Sequence, residues 1–533
     1  MSRPSMSNRS SEVERIIAAA EVDTTFAGKK AIRYRGRRST WPGALGLFVI
    51  FAGTIAGLVY YGIQEHEAVN DVLASDAAIR QRWGYGTVID DGRPVGNVTE
   101  DIDVVNPEEY VDRKCEQPNY ISKNGKIYAS FTGGKEVQLN IKGVNWLGME
   151  VSAGVPKGLW DNSREGSTLY RVGQFLSNNK FNAVRLPLSI DAALRNTEIT
   201  TNLVNTNSNR ALAGATRYRS FLGLIVQGLG TFNMSVVLDF HVLSALSKDA
   251  DGLWYGTSIQ LNDIKEAITN LAMDLCNSKY YNIMGIDLKD GLSKTATWGD
   301  GSNTDWAAAA TTLGNHVVKE CPKWLAFVQG VEGSSHKDKY DGDREIKSKF
   351  FAGSDLSGVK DSPIKLDTSN KLVYAPKYWT SSYLPMAYFF DSGEPKGDML
   401  EDYVESSNDT LKKNVDLNMN YMFGPALESG AAVVLSSFGG LLGTEDKTKS
   451  KTSTRIVEIL IEKMLASEKG LAGGFWWTFN PETSWPYPAP DNSNSTQSGL
   501  VDKAYREANQ NVLKNLKGMD KMPGVNFLPC ITA

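Results

Sequence analysis

Two kinds of hydrophobic pattern divide this chain. From Trp41 to Gln64 the residues WPGALGLFVIFAGTIAGLVYYGIQ carry no charge, and about 20 apolar residues in a helix span a bilayer core, a length that Ala44–Ile63 meets. Further on, apolar residues come in eight short runs: Ile141–Trp146, Asn182–Pro187, Ser235–His241, Ile283–Lys289, Trp324–Gly330, Lys371–Lys377, Ala432–Phe438 and Gly474–Asn480. Each is rich in β-branched or aromatic residues without strict polar alternation, the pattern of strands buried on both faces. Helical periodicity fills stretches between them, at Ser167–Asn178, Thr216–Gly228, Gln260–Cys276, Asp305–Lys319 and Ser453–Glu468. Strands alternating with helices predict a parallel sheet. Eight such units predict an α/β fold closed as a (β/α)8 TIM barrel, with its chemistry at the C-terminal ends of the strands. An open doubly wound sheet gives the same alternation, but no Gly-rich phosphate loop follows any of the runs. Before the first run, ISKNGKIYASFTGGKEVQL predicts an N-terminal β-hairpin with turns at Asn124-Gly125 and Gly133-Gly134, placed to cap the barrel's lower end.

Charge gives the apolar stretch a direction. Residues 1–40 hold nine Lys/Arg and four Asp/Glu, a net +5, so the rest of a chain of net charge −4 carries −9. Lys29 to Arg38 precede the stretch while Glu65, Glu67 and Asp71 follow it, with Trp41 and Tyr60-Tyr61 at the two interfaces. The positive-inside rule then predicts a type II single-pass protein of the plasma membrane or secretory pathway. Its parts are a cytosolic basic tail (1–40), a signal anchor (41–64), an acidic juxtamembrane stalk (65–112) and an extracellular or lumenal domain (113–533). A cleaved signal peptide is the rival reading, although 40 preceding residues are long for one. Gly53 and Gly57 form a GxxxG pair suited to helix dimerisation. All four cysteines, Cys115, Cys276, Cys321 and Cys530, lie beyond the anchor, where an even number favours two disulfides. Sequons at Asn97, Asn233, Asn408 and Asn494 fit the same route, while one at Asn8 would be cytosolic. Nothing in the charge suggests nucleic acid, and neither metal-ligand spacing nor a GxSxG elbow is visible, so no metal or cofactor is expected.

Around the strand ends a family resemblance emerges. In order, GVNWLGME, NAVRLPLS, VVLDFH, DGLWYG, TATWGDGSNTDW, ECPKWLAFVQGVEG and GGFWWTFNPETSWP resemble eukaryotic β-glucanases of glycoside hydrolase family 5, over roughly Ile121 to Asn509. The resemblance implies the barrel, and it pairs Cys276 with Cys321, leaving Cys115 for Cys530. It also implies two glutamates, an acid/base in an Asn-Glu-Pro motif after the fourth strand and a nucleophile in a Gly-Glu-Phe-Gly motif at the seventh. Retaining enzymes hold such a pair about 5–5.5 Å apart.

At the matching positions this chain has Asp290, Gly291 and Leu292, then Ser436 and Ser437. Gly291 has no proton to give, and Ser437 without a base is no glycosyl nucleophile. Arg185, His241 and Trp477 match the family's arginine, histidine and sugar-flooring tryptophan. The family's His-x-Tyr is replaced by Lys377-Tyr378-Trp379, and Gln329 stands where relatives commonly have Glu. The expectation is therefore a catalytically silent member whose groove binds β-glucan or a related polysaccharide through Arg185, His241, Trp477, Trp379, Trp146, Trp254 and Trp298. Alternatives are a working glycosidase using displaced acids (Asp287, Asp290, Glu332 or Glu482) and a membrane scaffold for a protein partner. Period-two alternation along a strand turns Asp290 away from the position of Gly291. Two acids a few ångströms apart at the mouth, aimed inward, would contradict the silent reading.

Overall fold

A computed structural model describes residues 41–83, 98–101 and 104–532, apart from 160–166, 247–251, 294, 334–335, 341–344, 349, 467–468, 484, 487–498, 504 and 506. The basic tail and the sequons at Asn8, Asn97 and Asn494 lie outside the described residues. The chain divides into two units at Asp71–Val72. Helix α1 (Trp41–Trp83) begins with the 24-residue segment Trp41–Gln64, whose mean hydropathy is 2.0 and whose side chains are all exposed. By length and composition it can cross a membrane.

In the second unit the hairpin strands β1 (Asn119–Lys123), β2 (Lys126–Ser130) and β3 (Glu136–Gln138) precede the barrel. The barrel then runs β4 (Ile141–Asn145), α2 (Leu169–Asn178), β5 (Ala183–Ser189), α3 (Tyr218–Thr231), β6 (Ser235–Val242), α4 (Leu261–Leu275), β7 (Ile283–Asp287), α5 (Trp306–Glu320) and β8 (Leu325–Val328). It continues with β9 (Leu372–Tyr374), β10 (Lys377–Trp379), α6 (Asn408–Glu428), β11 (Ala432–Val433), β12 (Leu435–Gly439), α7 (Thr452–Leu465), β13 (Gly473–Trp476) and α8 (Gln510–Leu516). Several helices start on the caps their sequences offer: Thr168, Asp305, Ser407 and Asn509 each accept a backbone N–H in the first turn, satisfying a donor the helix cannot.

Every barrel pairing is parallel, from β4·β5 through β5·β6, β6·β7, β7·β8 and β8·β9. The sixth strand is β9 and β10 together, interrupted at Pro376, which has no N–H to give the ladder. The seventh is β11 with β12, and both halves pair with the sixth. Closure comes from β12·β13 and β13·β4. The eight predicted runs are thus the eight staves of a closed barrel.

The hairpin floors it. Asn124 and Gly125 both have positive φ (53° and 70°) between paired Lys123 and Lys126, the two-residue turn whose twist matches its strands. Its backbone N–H groups at Tyr120, Ser122 and Gly125 donate to carbonyls of Lys323, Asn370 and Gly430, just before the fifth, sixth and seventh strands. Tyr120, Ile127 and Ala129 share one buried cluster with Phe327, Val373 and Phe475 of the barrel. Disulfide Cys115–Cys530 fastens the lead-in to the C-terminal segment, and Cys276–Cys321 links the ends of α4 and α5.

The stalk reading of 65–112 needs correction at its far end. Tyr110 is buried in the main core, its carbonyl accepts from Gln227, and Glu108 meets Arg210. The folded domain therefore starts ahead of residue 113. Of the two described sequons, Asn408 is exposed at the start of α6, its Oδ1 held by Arg455. Asn233 is less suited to a glycan: its Oδ1 accepts from Arg113, and Met234 and Ser235 of the same sequon are buried.

Candidate active site

A strand's side chains alternate in direction, so residues two apart share the barrel interior. Along one such series Val237 belongs to the lower core and Asp239 and His241 to the upper end; Phe327 with Gln329 and Ala375 with Lys377 repeat the rule. The upper ends of neighbouring strands thereby deliver Asn145, Arg185, Asp239, Asp287, Gln329 and Lys377 to one place.

Arg185 is its centre, 1% exposed. Its Nη2 meets Asp239 Oδ1 at 2.8 Å, Asp287 Oδ2 at 2.7 Å and Asp290 Oδ1 at 2.9 Å, while Nη1 donates to Asn145 Oδ1 at 2.9 Å. Three carboxylates around the guanidinium hold it protonated beyond its ordinary range despite burial. Gln329 Nε2 donates to Asp287 and Asp290, and its Oε1 accepts from the Gly291 N–H at 2.9 Å. Lys377 Nζ lies 2.6 Å from Asp290 Oδ2. His241 Nδ1 sits 2.8 Å from Asp239 and 3.5 Å from Asp290.

These surroundings sort the acids. Burial alone would raise Asp290, but His241, Lys377 and Arg185 together hold it well below the usual carboxylate range, so it keeps no proton to donate. Burial dominates at Asp287 and pushes it up to about 7, but its side chain is 1% exposed. Glu150, following the first strand, is also raised by burial while accepting the Gly148 N–H and feeling His241. Burial would lower His241, but Asp290 and Asp239 outweigh it and raise its pKa. The imidazole faces Trp477 with ring centroids 5.8 Å apart and planes 15° from parallel, and Trp379 meets Trp477 edge-on at 6.0 Å.

Two expectations are corrected. Asp290 is not turned away; it lies beyond Asp287, where β7 has ended and strand alternation no longer applies, and its carboxylate points into the cluster. Acids also do gather at the mouth, since ligand-type atoms of Asp239, His241 and Asp290 lie within 4.8 Å of one another. They share Arg185 rather than face each other across a gap, and Arg185, Lys377 and His241 all lie within ion-pair distance of their oxygens, although Asp239 Oδ1 accepts no hydrogen bond. For the same reason this donor set is a poor metal centre: its charge is spent on the chain's own cations.

Gly291 adopts φ +66°, and the nearest atom to a Cβ built there is Lys377 Nζ at 3.4 Å. Ser437 is fully buried; Asn145 Nδ2, an amide and not a base, lies 3.4 Å from its hydroxyl. Trp146 is buried with its N–H on the Lys157 carbonyl, and Trp254 packs on Tyr255 and Trp306. Trp298 donates to the Ser362 carbonyl and lies against Gly358. Trp146, Trp254 and Trp379, the last packed on Tyr383 and Trp485, are buried packing residues, which corrects their assignment to the sugar surface, while Trp298 is half-buried. Glu482 is engaged by the Tyr505 hydroxyl at 2.6 Å. Sequence reasoning passed over Asp239, Asn145 and Glu150. Asp239 was findable, being two residues before His241 on the same strand.

Comparison with known proteins agrees with this architecture. The family model for cellulase (glycosyl hydrolase family 5) matches residues 137–482. The major extracellular endoglucanase of Xanthomonas campestris pv. campestris is 28% identical over 357 residues, 66% of this chain and 63% of that protein. An endoglucanase of Paenibacillus polymyxa is 27% identical over 49% of this chain and 61% of its own length. The chain thus spans little more than three-fifths of these curated relatives. Among solved structures, an endocellulase from Pyrococcus horikoshii in complex with cellotetraose superposes with a TM-score of 0.60 at 25% identity, over 76% of this chain and 98% of that one.

Proposed function

This chain belongs to the cellulase family of glycosyl hydrolases, family 5, and on that premise we propose that it is a membrane-anchored member that binds β-glucan or a related polysaccharide without cleaving it. The observation that carries the reading is the pair Gly291 and Ser437 at the positions where the family resemblance expects its two glutamates. Retaining hydrolysis needs one carboxyl that gives a proton and a second that attacks. Asp290 is ionised and tied to three cations, and Asp287 is buried and hydrogen-bonded to Arg185. General acid catalysis alone contributes about 10²–10⁴ in rate, and its loss is compounded by that of the nucleophile. Binding is supported by half-exposed Trp477 beside His241, braced edge-on by buried Trp379, because a flat apolar face with a polar edge suits a pyranose ring.

The apolar helix and the charge asymmetry about it support a type II anchor with the barrel outside the cytosol. In that helix Gly53 and Gly57 leave a face on which a Cβ would meet nothing within 4 Å, open to a second copy. The test uses full-length protein in detergent: reducing-sugar release from β-glucan, and retention on insoluble β-glucan. We expect no release above buffer, retention of the wild type, and a loss of retention in Trp477→Ala. Sustained release abolished by Asp290→Ala would establish the displaced-acid alternative, and absence of retention would remove the binding role.

A further inference from the structure

The space left by the missing side chain at position 291 is bounded by an ammonium. A Cβ on Gly291 would meet Lys377 Nζ at 3.4 Å and no other heavy atom within 4 Å outside its chain neighbours. Lysine has three N–H donors, and among the described residues Lys377 Nζ hydrogen-bonds Asp290 Oδ2 alone. Its side chain is 10% exposed, so the remaining donors open toward that space rather than into bulk water. The other cations nearby are occupied: Arg185 by three carboxylates and Asn145, Lys289 by the carbonyls of His241 and Asp290.

Resting on the reading of a glycan-binding, non-cleaving cleft, we infer that Lys377 makes it selective for acidic sugars, taking a hexuronate carboxylate into the space beside Gly291. The three carboxylates around Arg185 have that guanidinium, Lys377 and His241 beside them, which offsets the negative charge an incoming anion would meet. Two donors of an ammonium match two oxygens of a carboxylate, and a charge-assisted pair of this kind is about twice as strong as a neutral hydroxyl contact. A sugar ring carrying that carboxylate on C5 still has half-exposed Trp477 to stack on.

Calorimetric titration of the full-length protein in detergent would compare cellotetraose with the same tetrasaccharide oxidised at C6 to carboxylates. We expect the oxidised ligand to bind tighter by about tenfold or more. Lys377→Gln should bring the ratio close to one, while Lys377→Arg should keep a preference. Equal or tighter binding of the neutral ligand overturns this inference and leaves the glucan-binding reading standing; failure of both ligands overturns the two together. An acid preference that survives Lys377→Gln also overturns it, and Lys377→Met decides the matter in the same way should that variant not fold.

Discussion

Replacing Arg185 by Met tests whether the mouth is held by one guanidinium. The change keeps an unbranched apolar stem but removes a cation that touches Asp239, Asp287 and Asp290 within 2.9 Å. Asp290 would retain Lys377 and His241, and Asp239 would retain His241, but Asp287 would be left with the Gln329 amide as its donor. Deleting one partner of a buried ion pair costs about 3–5 kcal/mol, because the other charge stays dry and unpaired. The size should depend on pH. Without the guanidinium the three carboxyls become harder to ionise, so acidification, which protonates them, relieves the variant more than the wild type. Urea unfolding followed by fluorescence at pH 8 and pH 5 would measure this. We expect a loss near the upper end of that range at pH 8 and a smaller one at pH 5. A loss below about 1 kcal/mol, or one equal at both pH values, would refute the idea that Arg185 neutralises buried anions.

Further outcomes follow from neighbouring groups. Asp287 is raised from 3.8 to about 7 in the folded protein, so its contribution is full below 3.8 and is lost as pH rises through about 7. Asp287→Asn cannot titrate, and the stability-versus-pH curve of that variant should be flatter between pH 5 and 8; an unchanged slope would remove Asp287 from the account. His241, raised above 6.5, acts in the same sense, whereas depressed Asp290 gives stability present above 3.8 and lost in stronger acid. A glutamate introduced at 291 would meet the Lys377 ammonium and lose its proton, so Asp290→Asn/Gly291→Glu/Ser437→Glu should stay silent in a reducing-sugar assay, and adding Lys377→His should bring release; turnover by the triple variant would contradict the blocking role of Lys377. For the disulfides, the 415-residue separation of Cys115–Cys530 corresponds to about 6 kcal/mol in the chain-entropy model, and the 45-residue separation of Cys276–Cys321 to about 4. Thermal melts of the two double-serine variants should rank in that order, and the reverse order would mean that native-state contacts outweigh loop entropy.

The barrel was legible because its strands are buried on both faces and its helices on one, and those patterns are written locally. All eight runs became strands, and the five helical stretches correspond to α2, α3, α4, α5 and α7. Helix α6 escaped because its pattern is blurred: Asn414 and Asn418 are buried among Leu411, Val415 and Met422, and Pro425 sits near its end. The folded start ahead of residue 113 escaped because one anchoring tyrosine, Tyr110, sits in an otherwise acidic segment. Residue identity at 291 and 437 was likewise plain from the chain alone, since an absent side chain needs no neighbours to be noticed. What the chain could not disclose was the arrangement of charge. Whether Asp290 faces the mouth depends on where β7 stops, and whether Trp146 or Trp254 meets solvent depends on what packs over them. That Asp239, Asp287 and Asp290 share Arg185, and that Lys377 reaches the space of a lost glutamate, are relations among residues up to 105 positions apart. Closing the barrel brings them together, and electrostatic energy depends on distances in space, which sequence order does not contain.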